Sequence, residues 1–462
     1  LAGEQLQDRL LLLRVERESP LRHDREKAVE HRVGVVRAWQ RRERVVLGGG
    51  GHAHQNARSA PCCRAQRAPL IVVAPPPSSY SQRVAPRPRM RLGRIDAPPA
   101  PAKLRSAMIL LPSQRVHEIQ QRLSMLAAAD VLHATFIPSA ETDEMRYFPE
   151  ELADDLARLD TARLQVHYRS HAATADVILT TAHGANNAEW LWQLREANPR
   201  ALLAVWLWDN HLAHGQNLAT VLPADLYFPS HAYLTSYLVN PCSASAGIIP
   251  AACAQWSAAH LRAALARAPG QRQPAVYASF VDYDMTPRRR FLEEAQARIP
   301  ALAVRFLPRK DRSPYFAQSP ARRMEEWLNY TASLVIPVHR DLSTRFFDGL
   351  AAGHVVVISD AVTDLDQVVS PAEQAALPVI KFHHDDVDSL REAVELALAA
   401  AARDGEAGVQ RRQTFVGTKH LLAHRVKKML LISQLAIEGR LSPAWHREPL
   451  EPSGLLLRSS AA

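Results

Sequence analysis

Residues 332–360, ASLVIPVHRDLSTRFFDGLAAGHVVVISD, decide the fold. Leu334, Val335 and Ile336 form an apolar run of strand type, and residues 337–344 are polar and turn-forming. Arg345 to Ala352 follows a helical period that puts Phe346, Phe347 and Leu350 on one side. Gly353 stops that helix, and His354-Val355-Val356-Val357-Ile358 is a second β-branched run ending at Ser359-Asp360. Strand, loop, short helix and strand make the repeating unit of a parallel sheet, whose ligands sit at the carboxyl ends of the strands. Arg345 and Asp348 fall at such an end. A helix start offers unpaired N–H groups and a positive dipole end to an anion, and Arg345 adds a fixed charge.

The same alternation continues on both sides. Downstream, strand 379–382 leads to helix 387–402, and 409–439 reads as one long amphipathic helix. Upstream, strand 275–280, helix 287–299, strand 304–307 and helix 321–330 complete one α/β half. Before it, Pro269-Gly270-Gln271-Arg272-Gln273-Pro274 has the composition of a linker. A second series precedes the linker, with strands at 108–111, 132–137, 175–181, 201–208 and 225–229. Helical patterns lie at 114–128, 149–159, 188–197, 211–221, 230–238 and 257–267, with a short strand or turn at 247–250. The expected class is α/β, two Rossmann-like domains facing across a cleft. The boundaries are a leader 1–105, an N-terminal domain 106–268, a linker 269–274, a C-terminal domain 275–415, a closing helix 416–439 and a disordered tail 440–462.

A chain of 462 residues with 47% hydrophobic content can bury two such cores. Its net charge of +9 is unevenly placed: residues 1–107 hold 21 Lys and Arg against 9 Asp and Glu, leaving 35 and 38 in the rest. The body is therefore close to neutral, and the basic leader says little about what it binds. That leader is Pro- and Arg-rich and is expected to be disordered or non-native, since Met108 opens the first expected strand. It lacks the aromatic interleaving of a nucleic-acid binder and a clean amphipathic face for a membrane. No apolar run is long enough to span a bilayer, and the first residues do not read as a signal peptide. Cys62-Cys63, Cys242 and Cys253 give neither a metal spacing nor a disulfide framework, which fits a reducing cytoplasm.

The run R-F-F-D-G-L-A-A-G-H-V-V-V-I-S-D resembles the donor-site segment of GT-B glycosyltransferases, especially the spore-maturation-type branch, whose pattern is R-x-F-E-A-x-A-x-G-x-x-x-L-x-x-D. With two Rossmann-like halves, a short linker and a closing helix, the resemblance covers residues 108–439. It implies that Asp348, one methylene shorter than the usual Glu, contacts hydroxyls of a nucleotide-sugar, and that Gly349 replaces the usual Ala. Arg345, Gly353 and Asp360 fall on the same motif as donor-side positions. Arg288, which follows strand 275–280 on the next helix, matches the family's donor-binding Arg; Pro287 suits the first helical turn.

Other candidates follow from strand ends. His183, after the apolar run 175–181 and before Gly184, can face the cleft, position an acceptor hydroxyl or stabilise charge at the donor; the alternative is a surface histidine without a role. Asp209, after Trp206-Leu207-Trp208, matches a family segment at the domain interface and can bind an acceptor or act as base, or simply cap the helix starting near His211. Lys310, within Arg309-Lys310-Asp311-Arg312, can neutralise a leaving diphosphate or belong to a solvated loop. His383-His384-Asp385-Asp386 reads as a loop before a helix rather than a metal site. The His420/His424 pair lacks the glutamate and third ligand of a zinc protease and reads as packing.

The resemblance implies a metal-independent glycosyltransferase without a cofactor, moving a sugar from a nucleotide-sugar to a glycan, lipid-linked or protein acceptor. Basic side chains and helix N-termini would stabilise the diphosphate. It implies no nucleic-acid partner and is compatible with peripheral membrane association and cell-surface glycan assembly. The alternative from another class is a non-catalytic GT-B-like binder of sugar nucleotides or a partner. A rival among enzymes, a metal-dependent GT-A transferase, rests on the D-x-D tripeptides at Asp282, Asp364 and Asp386, a weak signal.

Overall fold

The computed structural model describes residues 112–459, apart from 139–146, 170–171, 183–185, 209–216, 218–220, 232–241, 267–271, 284–286, 309–312 and 447–453. The leader and the expected strand 108–111 lie outside the described residues, as do nearly all of the expected helices 211–221 and 230–238. What is described is built on two sheets.

The N-terminal lobe starts with α1 (Pro112–Ala127), followed by β1 (Leu132–Ile137), α2 (Leu152–Ala157), β2 (Leu164–Tyr168) and β3 (Val177–Ala182). Then come α3 (Asn186–Ala197), β4 (Leu202–Leu207), β5 (Leu226–Pro229) and the two-residue β6 (Ala244–Ser245). These strands pair in parallel in the order β2-β1-β3-β4-β5-β6. A crossing segment and α4 (Ala258–Ala266) lead to the second lobe.

The C-terminal lobe runs β7 (Gln273–Asp282), α5 (Arg288–Arg298), β8 (Leu302–Pro308), α6 (Pro320–Leu328), β9 (Tyr330–Val335), α7 (Thr344–Ala351), β10 (Val355–Ser359) and β11 (Val379–Phe382). Its order is β8-β7-β9-β10-β11, all parallel. In strand β10 the period of two sends Val355 and Val357 into one core and Val356 and Ile358 into the other, all fully buried. Burial on both faces is why the run is continuously apolar rather than alternating. Phe346, Phe347, Leu350 and Ala351 of α7 pack into the second of these cores. Each large side chain buried there contributes about 1.5–3 kcal/mol.

Two similar parallel lobes, joined by a crossing segment and closed by a returning helix, give the GT-B fold. The return differs from the sequence reading in its breaks. Helix α8 (Val387–Lys419) runs through a kink at Gly405, whose φ of +54° suits glycine, instead of ending near 402. The chain then breaks at His420-Leu421 before α9 (Leu422–Ile437), so 409–439 is not one helix. The crossing segment causes that break: Cys253 N–H donates to the His420 carbonyl and Leu422 N–H to the Cys253 carbonyl. Arg425 adds bonds to the Pro250 and Ala251 carbonyls. Helix α9 packs into the N-terminal lobe through Leu422, Val426, Met429 and Leu430.

The expectation of a disordered tail after residue 439 is corrected. Residues of the tail form β12 (Leu441–His446) and β13 (Gly454–Ser459), an antiparallel pair that joins the N-terminal sheet through β6. Leu455 is fully buried and Leu457 packs on the same core, which anchors the hairpin despite its Pro and Ser content. Pro443 is tolerated because β12 is the edge strand. Strand β2, which the sequence reading lacked, is the opposite edge. Its Leu164, Val166 and Tyr168 face the core while Gln165 is exposed.

Candidate active site at the strand switch point

In the C-terminal lobe, β7 and β9 are neighbours, and the connections leaving their carboxyl ends run to opposite sides, from β7 to β8 and from β9 to β10. Such a switch point opens a crevice beyond the strand carboxyl ends. Two arginines occupy it. Arg288, the first residue of α5, donates to the Val281 carbonyl at 2.6 Å and the Ile336 carbonyl at 3.3 Å, bridging the ends of β7 and β9. Arg345, in the first turn of α7, donates through Nε to the Ser279 carbonyl. The Phe280 ring carries both guanidinium groups, at 4.7 and 5.2 Å from its centroid.

Burial, and then the charge of Arg345, lower the Arg288 pKa to about 10. Neither arginine is ion-paired with a carboxylate among the described residues. Two acids whose charges act on Arg288 hold other hydrogen bonds: Asp341 Oδ1 accepts the Val338 and His339 N–H groups, and Asp282 accepts from Arg289. Ser343, the N-cap of α7, makes no side-chain capping bond, and its Oγ is buried without a partner. Two cations and an uncapped helix start therefore share one crevice, a combination suited to an anion.

Asp348 sits one turn further along α7 and is 2% exposed. Tyr147 of the N-terminal lobe donates to its Oδ2 at 3.4 Å, and its Oδ1 has no partner. Burial raises its pKa to about 7, against the pull of the nearby Cys253, Arg345 and Gln255. Burial and the Asp348 charge in turn push the Cys253 thiol well up. Aromatic rings close over this carboxyl. Tyr147 meets Trp208 at 5.7 Å and Phe316 at 6.1 Å, and Tyr315 Oη donates to Gln255 at 2.9 Å.

The remaining candidates fall in different places. Gly353 follows the C-terminal end of α7, the end away from Arg345. Its φ of +78° terminates the helix, its carbonyl accepts from Arg412, and a Cβ there would lie 2.5 Å from Val409. These contacts give Gly353 a structural part in ending the helix. Asp360, after β10, accepts from His383 Nδ1 and His384 N–H, each at 2.9 Å. The His383 bond is the main cause holding its pKa below the usual range. Asp386 caps α8 by accepting from Asp388 and Ser389 N–H. His420 stacks on Phe347 and accepts from Arg425, while His424 accepts from the Leu421 N–H. His183, Asp209 and Lys310 lie outside the described residues.

One pairing escaped the sequence reading. His231, just after β5, has Nδ1 3.8 Å from Asp364 Oδ2, which follows β10 in the other lobe; both are buried. His231 stands two residues after the buried run LYFP, a strand-end position like the one that singles out His183. From sequence alone, Asp364 is only one end of a D-x-D tripeptide.

No family model and no curated protein matches the chain. Among solved structures, the chain is similar to sucrose-phosphate synthase from Thermosynechococcus elongatus, at 12% identity over 66% of this chain and 99% of that one, with a TM-score of 0.43. It is similar to a glycosyltransferase from Rickettsia africae, at 8% identity over 67% and 99%, TM-score 0.42. It is also similar to an α,α-trehalose-phosphate synthase (UDP-forming) from Burkholderia vietnamiensis, at 13% identity over 58% and 74%, TM-score 0.38.

Proposed function

We propose that this protein is a glycosyltransferase that moves a sugar from a nucleoside-diphosphate sugar to a hydroxyl-bearing acceptor. The observation that carries the reading is the Arg288–Arg345 couple at the β7/β9 switch point, two guanidinium groups without a carboxylate partner among the described residues, beside the uncapped start of α7. A diphosphate supplies the missing negative charge, and its charge grows as the glycosidic bond breaks. Fixed guanidinium and N–H dipoles then stabilise the transition state more than the ground state. Because these cations are part of the chain, we assign the leaving-group role to them and not to a metal. Transfer is expected to survive a chelator.

Asp348 is assigned to a donor hydroxyl. To reach it, Tyr147 has to withdraw from Oδ2, which an opening of the lobes would accomplish. His183 and Asp209 follow β3 and β4 in sequence, and we assign them to the acceptor. Lys310 is kept as a second cation for the diphosphate, and a glycan, lipid-linked or protein acceptor handled in the cytoplasm completes the reading. No helix among the described residues is long and apolar enough to cross a membrane.

The enclosure of Asp348 by Tyr147, Cys253 and Gln255 favours a second reading, a sugar-nucleotide binder without turnover. A screen of the full chain against UDP, GDP, dTDP and their sugars separates the two. On the transferase reading, one nucleotide at a hundred times its dissociation constant stabilises the protein by about 2.7 kcal/mol. Arg345→Ala then weakens it about 10- to 100-fold, and the sugar nucleotide is slowly hydrolysed in wild type but not in Asp348→Ala. Binding with equal background hydrolysis in both proteins favours the binder. No binding of any nucleotide overturns both.

A further inference from the structure

Phe148, the residue after Tyr147, fixes where the Tyr147 ring can go. Its own ring is 1% exposed, within the N-terminal core. Its carbonyl accepts from Tyr168 Oη at 3.1 Å and from Arg169 Nη2 at 2.5 Å. Tyr147 therefore projects from an anchored part of the N-terminal lobe. Its ring meets Phe148 at 5.6 Å and Trp208 at 5.7 Å on its own lobe, and Phe316 of the C-terminal lobe at 6.1 Å, all edge to face.

At its tip the phenol reaches the first turns of α7, where Oη donates to Asp348 Oδ2 at 3.4 Å. Burial first, and then the Asp348 charge, push the phenol pKa well up, while Thr344, one turn earlier on the same helix face, pulls the other way. The phenol thus stays protonated and offers the carboxyl one O–H at the edge of an apolar ring. A sugar hydroxyl, flanked by its own C–H groups, makes the same approach. The bond is long, so the volume of the ring holds the place more than the bond does. Asp348 Oδ1 has no hydrogen-bond partner. A sugar brings two neighbouring hydroxyls and can pair both carboxyl oxygens, where the phenol pairs one.

We propose that Tyr147 is an intramolecular occupant of the donor-sugar subsite, a built-in competitor that the sugar has to displace and the nucleoside diphosphate does not. The inference rests on the assignment of Asp348 to the donor. Arg288 and Arg345 are bonded to carbonyls at the ends of β7 and β9 and not to Tyr147, so a diphosphate does not compete with the phenol. Because Phe148 anchors the ring to its own lobe, clearing the subsite moves that lobe away from α7. Entry of the sugar is thereby tied to separation of the lobes. Affinity for the donor falls by the fraction of molecules in which Tyr147 has withdrawn.

Calorimetric titration of the full chain with UDP, GDP and dTDP, and with UDP-glucose, GDP-mannose and dTDP-glucose, tests it. Tyr147→Ala should tighten the sugar conjugate about tenfold, as expected when roughly one molecule in ten of wild type has the subsite clear. The affinity of the matching diphosphate should stay as in wild type. Circular dichroism checks that the variant folds, and Tyr147→Leu takes its place should Tyr147→Ala not fold. A diphosphate that binds while the affinity of its conjugate is unchanged in the variant overturns the proposal and leaves the donor reading standing. Equal tightening of both ligands does the same, since the ring then obstructs the whole crevice and not the sugar alone. No binding of any of the six by wild type or variant overturns the donor reading and the proposal with it.

Discussion

Both lobes gather arginines at strand ends, but they treat the charge in opposite ways. In the N-terminal lobe, Arg115, Arg122 and Arg195 converge on the fully buried Asp225, at 3.1, 2.8 and 2.5 Å, just before β5 begins. Asp225 Oδ2 also accepts the Leu203 N–H at 3.0 Å. That cluster ties α1 and α3 to the amino end of the sheet. In the C-terminal lobe, Arg288 and Arg345 tie strands together at the carboxyl end and have no acid partner among the described residues. A cluster built for stability brings its own counter-charge. One built for a ligand leaves that charge to be supplied, at some cost to the unliganded protein.

The sharpest way to break the contrast is Asp225→Ala. Removing the shared carboxylate leaves the buried Arg195 without an acid and Arg115 and Arg122 with Glu118 alone, and should destabilise the protein by about 3–5 kcal/mol. Denaturant titration measures this, and nucleotide affinity of the remaining folded protein should not change. Loss of only a few tenths of a kcal/mol would erase the distinction between the clusters.

Asp348 stands between the two types, an acid near a cation yet not neutralised by it. Its folded-state pKa of about 7 exceeds the unfolded value, so the folded protein binds the extra proton. The stability it contributes is present below about pH 4 and is lost as pH rises toward about 7, by up to roughly 4 kcal/mol. Asp348→Asn should flatten that slope in denaturation curves recorded from about pH 5 to 8. An unchanged slope would mean that the carboxyl stays ionised and is fully compensated by Arg345.

The smallest effect concerns the fit of α7 on β9. A Cβ at Gly349 would lie 2.2 Å from Ser333 Oγ, a buried hydroxyl without a partner. Gly349→Ala alone should destabilise by about 1 kcal/mol, from overpacking that outweighs the helix propensity gained. With Ser333→Ala the loss should vanish or reverse, and additive effects in the cycle would show that the two residues do not touch.

The segment 332–360 was legible because its apolar runs are long and bounded by glycine and polar turns. Its buried valines satisfy both faces of a parallel sheet. The edges were not. Strand β2 has polar alternate positions, and β13 sits in a Pro- and Ser-rich tail whose burial depends on a partner more than 200 residues earlier, Ser245. The Asp225 cluster joins residues from distant parts of the chain, and local spacing carries no trace of it. Gly349 shows the converse. It stands where the resembled pattern has Ala, and the structure supplies a local reason, the hydroxyl of Ser333.

The hairpin of β12 and β13, with α9, has a consequence for biosynthesis. The lobe that leaves the ribosome first lacks one sheet edge and a covering helix until residues 422–459 emerge. The N-terminal lobe therefore cannot mature as an independent bead ahead of its partner. Truncation within the last forty residues should leave the earlier lobe exposed at β6 and prone to aggregate, although the excised stretch lies far from Arg345 in sequence.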